Sequence, residues 1–123
     1  MEDEEDEKNR EISEQERELI SNINNFNDSA NLVYKRGDYT SAAILYFKAL
    51  FSIFDLIIFR EKGFVPKDHS ERFRILENDF LEQYNFLDRN FSIYQNSYRT
   101  SIKKEDCDIA KTYAEGIIKE QEI

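Results

Sequence analysis

Apolar side chains recur along most of the chain at intervals of three and four residues, which is the spacing of one face of an α-helix. The first such stripe predicts a helix over about residues 13–36. A second, almost continuous apolar run predicts a central helix over about residues 40–62. Gly37 lies in the short link between them, and Asp38 or Thr40 is expected to cap the second helix.

The central apolar run, residues 42–59, carries one narrow polar stripe of Lys48, Ser52 and Asp55 at helical spacing. An apolar helix with such a stripe is typical of the centre of a soluble bundle, and no stretch reaches the ~18 consecutive apolar residues of a membrane span. The stripe has three interpretations: an internal ion pair, a strip that faces solvent, or a polar seam at a dimer interface. We favour the solvent-facing strip.

Three further helices are predicted after a loop over residues 63–70, which holds the only proline and the only histidine. Asp68 and Glu71 have the spacing of a capping box and open the third helix. The fourth covers about residues 87–99, and the fifth starts near Glu105. The expected buried face of the third helix is Phe73, Leu76, Phe80, Leu81 and Tyr84. The fourth helix has Phe91, Tyr94 and Tyr98 spaced three and four apart, and the fifth carries Ile109, Ala110, Tyr113, Ala114 and Ile117 on one side.

Five helices with short links predict an all-α fold, an antiparallel bundle of four to five helices. Three Gly and one Pro in 123 residues support it, because sandwiches and barrels need many turns. One Cys and one His exclude a disulfide framework and a Cys-rich zinc site, so we expect no metal, no cofactor and a reduced, cytoplasmic location.

The negative charge is concentrated at the start of the chain. Residues 1–20 hold ten acidic and three basic side chains, a net of −7, of the formal total of −9. We expect residues 1–12 to be a solvated, disordered acidic tail and residues 13–123 to be one domain. Because residues 21–123 hold sixteen acidic and fourteen basic side chains and are nearly neutral, broad nucleic-acid binding is not expected, and RNA binding is only weakly indicated.

Residues 35–50 resemble the middle of a tetratricopeptide unit, with Gly-Asp-Tyr at the turn followed by a helical ladder of Ala and Tyr. The pattern does not return 34 residues later, whereas a stable array needs at least about three units. A tetratricopeptide-like peptide-binding adaptor therefore stays an alternative function rather than the leading one.

The order of parts carries a second resemblance. A long first helix precedes Gly-Asp-Tyr-x-x-Ala at residues 37–42, and a Pro-x-x-His-Ser loop at residues 66–70 opens a further helix. An aromatic and Arg segment, Tyr-Gln-Asn-Ser-Tyr-Arg at residues 94–99, leads into a last helix over residues 109–118. Over about residues 15–120 the chain resembles the HEPN superfamily.

The resemblance implies a four- or five-helix bundle that is usually a homodimer. Some members are metal-independent ribonucleases, often in toxin–antitoxin systems, and others accompany a nucleotidyltransferase-like protein. The catalytic members carry Arg, four to six residues, then His, but here Lys104, Glu105 and Asp106 follow Arg99 at those distances. The remaining catalytic candidates are Arg99, Asp106 and His69, although we favour a structural role for His69 beside the cap of the third helix.

A small phosphate site is a further hypothesis. Arg99 follows aromatic residues and precedes two lysines, so stacking surfaces and positive charge lie close in sequence. The candidate binding residues are Tyr94, Tyr98, Lys103 and Lys104. The alternative, which we favour, is that Arg99 covers aromatic surface and neutralises a helix C-terminus.

We therefore expect a HEPN-like helical interaction module, a homodimer with no intact ribonuclease motif, bound to no membrane. The alternatives are an active HEPN-type endoribonuclease and a peptide-binding adaptor.

Overall fold

The computed structural model describes the backbone of residues 2–123 and the side chains of residues 14–123. Its five helices are α1 (Glu2–Lys35), α2 (Tyr39–Lys62), α3 (His69–Asp79), α4 (Leu81–Asn96) and α5 (Lys104–Glu120). The described residues contain no strand. The predicted all-α fold is thus confirmed.

α2 is the central helix, and the other four helices pack against it, α1 most extensively. Most of its side chains from Ala42 to Phe59 are buried, including Tyr46, Phe47 and Phe54. α2 is the one helix among the described residues that is long and apolar enough to cross a membrane, but 78% of its apolar window is buried inside the bundle. This burial is what the core helix of a soluble bundle shows.

The predicted signals at both ends of α2 and at the start of α3 are present. The Asp38 carboxylate accepts a hydrogen bond from the Ser41 backbone N–H at 3.0 Å, and Asp68 does the same for Glu71 at 2.8 Å. Gly63 ends α2 in the left-handed conformation, which glycine adopts without steric strain. Asp38 rather than Thr40 is therefore the cap of α2.

The third and fourth helices divide at a different residue from the one predicted. Phe80 leaves the helical conformation (φ −137°, ψ 64°), so α3 ends at Asp79 and α4 begins at Leu81. Leu81 and Tyr84 therefore belong to α4, and Leu81 is 61% exposed rather than buried. The sequence has no Gly or Pro at this break, so nothing in the local pattern marks it.

The outer limits of the helices also differ. α1 begins at Glu2, against the predicted start near residue 13. The side chains of residues 1–13 lie outside the described part, and the predicted separate acidic tail over residues 1–12 stays a prediction. α4 ends at Asn96, so Tyr98 and Arg99 lie in the turn after it rather than in the helix.

Candidate functional site

A polar cluster lies between α2 and α3. Asp55 of α2 and Arg72 of α3 form a two-bond ion pair, with Nε at 2.7 Å from Oδ1 and Nη2 at 3.0 Å from Oδ2. Their side chains are only 12% and 9% exposed. Asp55 therefore takes part in an internal ion pair, which was one of the three interpretations of the polar stripe, and it does not face solvent as we had favoured. The other two residues of the stripe, Lys48 and Ser52, are half-buried.

His69 completes this cluster at the first position of α3. Its Nδ1 lies 2.6 Å from Nη1 of Arg72. Since a guanidinium only donates hydrogen bonds, Nδ1 is the acceptor, and the neutral ring carries its proton on Nε2. Partial burial of the ring, followed by the nearby Arg72 charge, lowers the pKa of His69 below its ordinary value.

This geometry limits what His69 can do. The lone pair that a general base would use is already bound to Arg72, while the ring packs edge-on against Phe51 at 4.8 Å and near Phe91 at 5.6 Å between centroids. His69 thus lies beside the Asp68 cap, and its partner is the Arg72 side chain rather than loop backbone. The residue remains exposed to solvent at the start of α3.

The other two catalytic candidates are not joined to it. Arg99 is exposed in the turn after α4, and Asp106 is half-buried in the first turn of α5. Among the described side chains, no hydrogen bond or ion pair connects Arg99, Asp106 and His69.

The candidate phosphate-binding residues are divided between two neighbourhoods. The hydroxyls of Tyr94 and Tyr98 are hydrogen-bonded to each other at 2.7 Å. Lys104 instead pairs with Asp108 at 3.0 Å and lies 5.8 Å from the ring centre of Tyr34. Lys103 is exposed directly before α5.

An open groove lies between α4 and α5, and we call it the α4–α5 groove. Both helices pack against α2, but their backbones make little contact with each other, and a space of about 650 Å³ lies between them. Phe86 and Tyr113 bridge it with parallel rings 3.6 Å apart. The lining residues are Glu82 and Phe86 of α4 and Glu105, Asp108, Ile109, Thr112, Tyr113, Gly116, Ile117 and Glu120 of α5.

The groove combines an apolar floor with an acidic rim. Phe86, Ile109 and Ile117 contribute apolar surface, and Ile109 remains 41% exposed. Four of the ten lining residues are acidic and none is basic. Burial, followed by the Glu82 and Glu120 carboxylates, raises the pKa of the Tyr113 hydroxyl to about 12. The negative charges of Glu82 on α4 and Glu120 on α5 therefore both reach the Tyr113 hydroxyl, from opposite sides of the groove.

The sequence predicted the apolar residues of α5 but not the groove that some of them line. The predicted stripe places Ile109, Ala110, Tyr113, Ala114 and Ile117 on one side of the helix. Ala110 and Ala114 are buried against the core, whereas Ile109 and Tyr113 lie along the groove. The role of Phe86 depends on how far α4 lies from α5, which no local pattern specifies.

Comparison with known proteins finds no matching family, no matching curated protein and no matching solved structure. The HEPN resemblance therefore rests on the motifs of the sequence alone. Within the described part of the chain there is also no group of three or more His, Cys, Asp or Glu side chains placed to hold a metal ion.

Proposed function

We propose that this chain is a helical protein-interaction module of the HEPN type that its sequence resembles, and that the α4–α5 groove binds a helical segment of a partner protein. The observation that carries the proposal is the groove itself, an open apolar floor between two helices across which the rings of Phe86 and Tyr113 stack. An apolar groove is a surface on which an amphipathic helix docks.

Ribonuclease activity receives less support. The Arg-x(4–6)-His motif is not intact, and His69 has its lone pair bound to Arg72. Among the side chains of residues 14–123, no hydrogen bond or ion pair joins Arg99 or Asp106 to His69. A general base needs a free lone pair within reach of the proton that it removes. We accordingly expect neither the purified protein nor its Arg99→Ala variant to cleave RNA, and cleavage by the first alone would favour the enzyme.

The tetratricopeptide alternative is also less well supported. A peptide-binding array of that kind needs helix pairs stacked side by side around a concave surface. Here one helix, α2, has the other four packed around it.

The partners that we propose follow from the resemblance. They are a second copy of the chain and a protein of the nucleotidyltransferase-like class, in a cytoplasmic, toxin–antitoxin type of setting. The homodimer is assigned to a face other than the groove, because two acidic rims would repel each other at short range.

The experiment that tests the groove uses a displayed library of helical peptides with one apolar stripe and randomised remaining positions. Peptides selected on the protein are then measured on Ile109→Asp, which places a charge on the groove floor. Burying that charge is expected to weaken binding at least about tenfold. Leu32→Asp is the matched control, because Leu32 is 64% exposed on α1, outside the groove.

The control should bind the selected peptides as tightly as the wild-type protein. Recovery of no peptide, or of peptides that bind all three proteins equally, would contradict the proposed binding surface.

A further inference from the structure

We infer, resting on the proposed function of the groove, that its partner is an amphipathic helix of about four turns whose apolar stripe is flanked by Lys and Arg. The apolar floor alone does not specify the length or the charge of the helix that binds there. They follow from three observations: the length of the groove, the charge of its rim and the empty space above Gly116.

The length follows from the spacing of the lining residues on α5. They begin at Glu105, recur at intervals of three and four, and end at Glu120. At 1.5 Å per residue, this face is about 22 Å long. A helix of about four turns that lies along α5 would cover the whole face.

The charge follows from the rim. Glu82 lies on the α4 side, and Glu105 and Glu120 lie near the two ends of the α5 side. Within residues 14–123, none of these three carboxylates has an ion-pair partner. Asp108 differs, because it pairs with Lys104 at 3.0 Å and accepts a hydrogen bond from Tyr34. Three carboxylates that have no ion-pair partner in the described part of the chain, placed around an apolar floor, match cationic flanks on the occupant.

Gly116 adds a steric argument. It lies inside α5, where glycine lowers helix stability relative to alanine. A Cβ built at this position would meet nothing within 4 Å, so packing within the molecule does not require a glycine there. The missing side chain leaves the α5 backbone open to close approach by another helix.

The same features disfavour other occupants. A second copy of this chain would bring two acidic rims together, and a nucleic acid would bring phosphates to the rim. A neutral apolar helix would fit the floor but would leave the rim carboxylates without partners.

The test compares three synthetic peptides of about 18 residues that share one apolar stripe and carry Lys/Arg, Gln or Glu at the flanking positions. Fluorescence anisotropy gives the Kd of each peptide for the full chain. We expect the Lys/Arg peptide to bind roughly tenfold more tightly than the Gln peptide, and the Glu peptide to bind least tightly. Raising the salt concentration from about 0.05 to 0.5 M should narrow these differences, because it shortens the Debye length.

Two triple variants separate the rim from the overall charge of the protein. The first variant removes the three rim carboxylates by combining Glu82→Gln, Glu105→Gln and Glu120→Gln. It should abolish most of the preference for the Lys/Arg peptide over the Gln peptide. The matched control removes three exposed carboxylates on α1 and α2, by Glu18→Gln, Asp28→Asn and Glu61→Gln. It should keep the preference within about twofold, since these sites lie outside the groove.

The outcomes distinguish this inference from the proposed function. Equal affinity for the Lys/Arg and Gln peptides, with both sensitive to Ile109→Asp, would overturn the cationic partner and leave the groove as a binding surface. An equal loss of preference in both triple variants would assign the effect to net charge and would also overturn the inference. Binding by none of the three peptides would count against the groove itself.

Discussion

At the scale of single residues, Arg72 connects the parts of the polar cluster. Two of its nitrogens bind Asp55 and the third binds His69, so all sides of a largely buried guanidinium are occupied. An internal ion pair was one of three interpretations of the stripe that contains Asp55, because a charge on so apolar a helix is rarely left unpaired, but we favoured the solvent-facing strip. The sequence did not identify Arg72 as the partner of Asp55, because Arg72 and Arg74 differ only in which side of α3 they occupy.

Removing one member of this ion pair is expected to destabilise the fold strongly. Arg72→Met leaves the Asp55 carboxylate buried without a partner and should lower the free energy of unfolding by about 3 kcal/mol. Urea unfolding followed by circular dichroism measures the change. The double variant Asp55→Leu, Arg72→Met should lose less, because it leaves no unpaired charge. A loss for the single variant below about 1 kcal/mol would contradict a buried, energetically coupled pair.

His69 predicts a pH dependence with a definite sign. Its pKa is lowered in the folded protein, so between that pKa and the ordinary value near 6.5 the unfolded chain binds more protons. The free energy of unfolding should therefore fall as the pH drops from 7 through this window. Since His69 is the only histidine, its ring resonances in proton NMR report the pKa directly. A midpoint above 6.5 would contradict the Arg72 contact.

The variant His69→Phe keeps the aromatic packing and removes the titrating group. It should flatten the dependence of stability on pH between 7 and 6, where few carboxylates titrate. An unchanged slope would mean that another group is responsible.

At the scale of helices, the sequence predicted which helices are present better than it predicted the residues at which they begin and end. The boundaries of α2 and the start of α3 were predicted because their signals act locally. Asp38 and Asp68 accept hydrogen bonds from backbone N–H groups at the helix starts, and Gly63 adopts the left-handed conformation that ends α2. The break at Phe80 was missed, because no Gly or Pro marks it and Phe80 itself is an ordinary apolar residue of the predicted stripe. The apolar residues of α5 were predicted to lie on one side of the helix, whereas they divide between the core and the groove.

Gly116→Ala tests the interpretation of α5. An alanine Cβ at this position meets no neighbouring atom, so only the helix propensity changes. Thermal or urea unfolding should show a gain of about 0.5 to 1 kcal/mol. A loss of stability would mean that the space above Gly116 is filled in solution.

At the scale of the whole molecule, the arrangement around α2 explains why one face stays open. α2 supplies most of the buried core; α1 and α5 pack mainly against it, whereas α3 and α4 also pack against each other. The backbones of α4 and α5 make little contact, and the gap between them, which the Phe86–Tyr113 stack crosses, becomes the α4–α5 groove. Hydrophobic periodicity predicted the bundle, but the gap depends on distances between helices far apart in sequence.

The most direct test of the binding surface is an NMR titration of ¹⁵N-labelled full chain with the Lys/Arg-flanked peptide. We expect the largest amide shifts to fall along residues 105–120 of α5 and around Glu82 and Phe86 of α4, and Gly116→Leu to suppress them by filling the groove. Shifts centred on α1 or on the Asp55–Arg72–His69 cluster, or shifts unchanged by Gly116→Leu, would contradict this expectation.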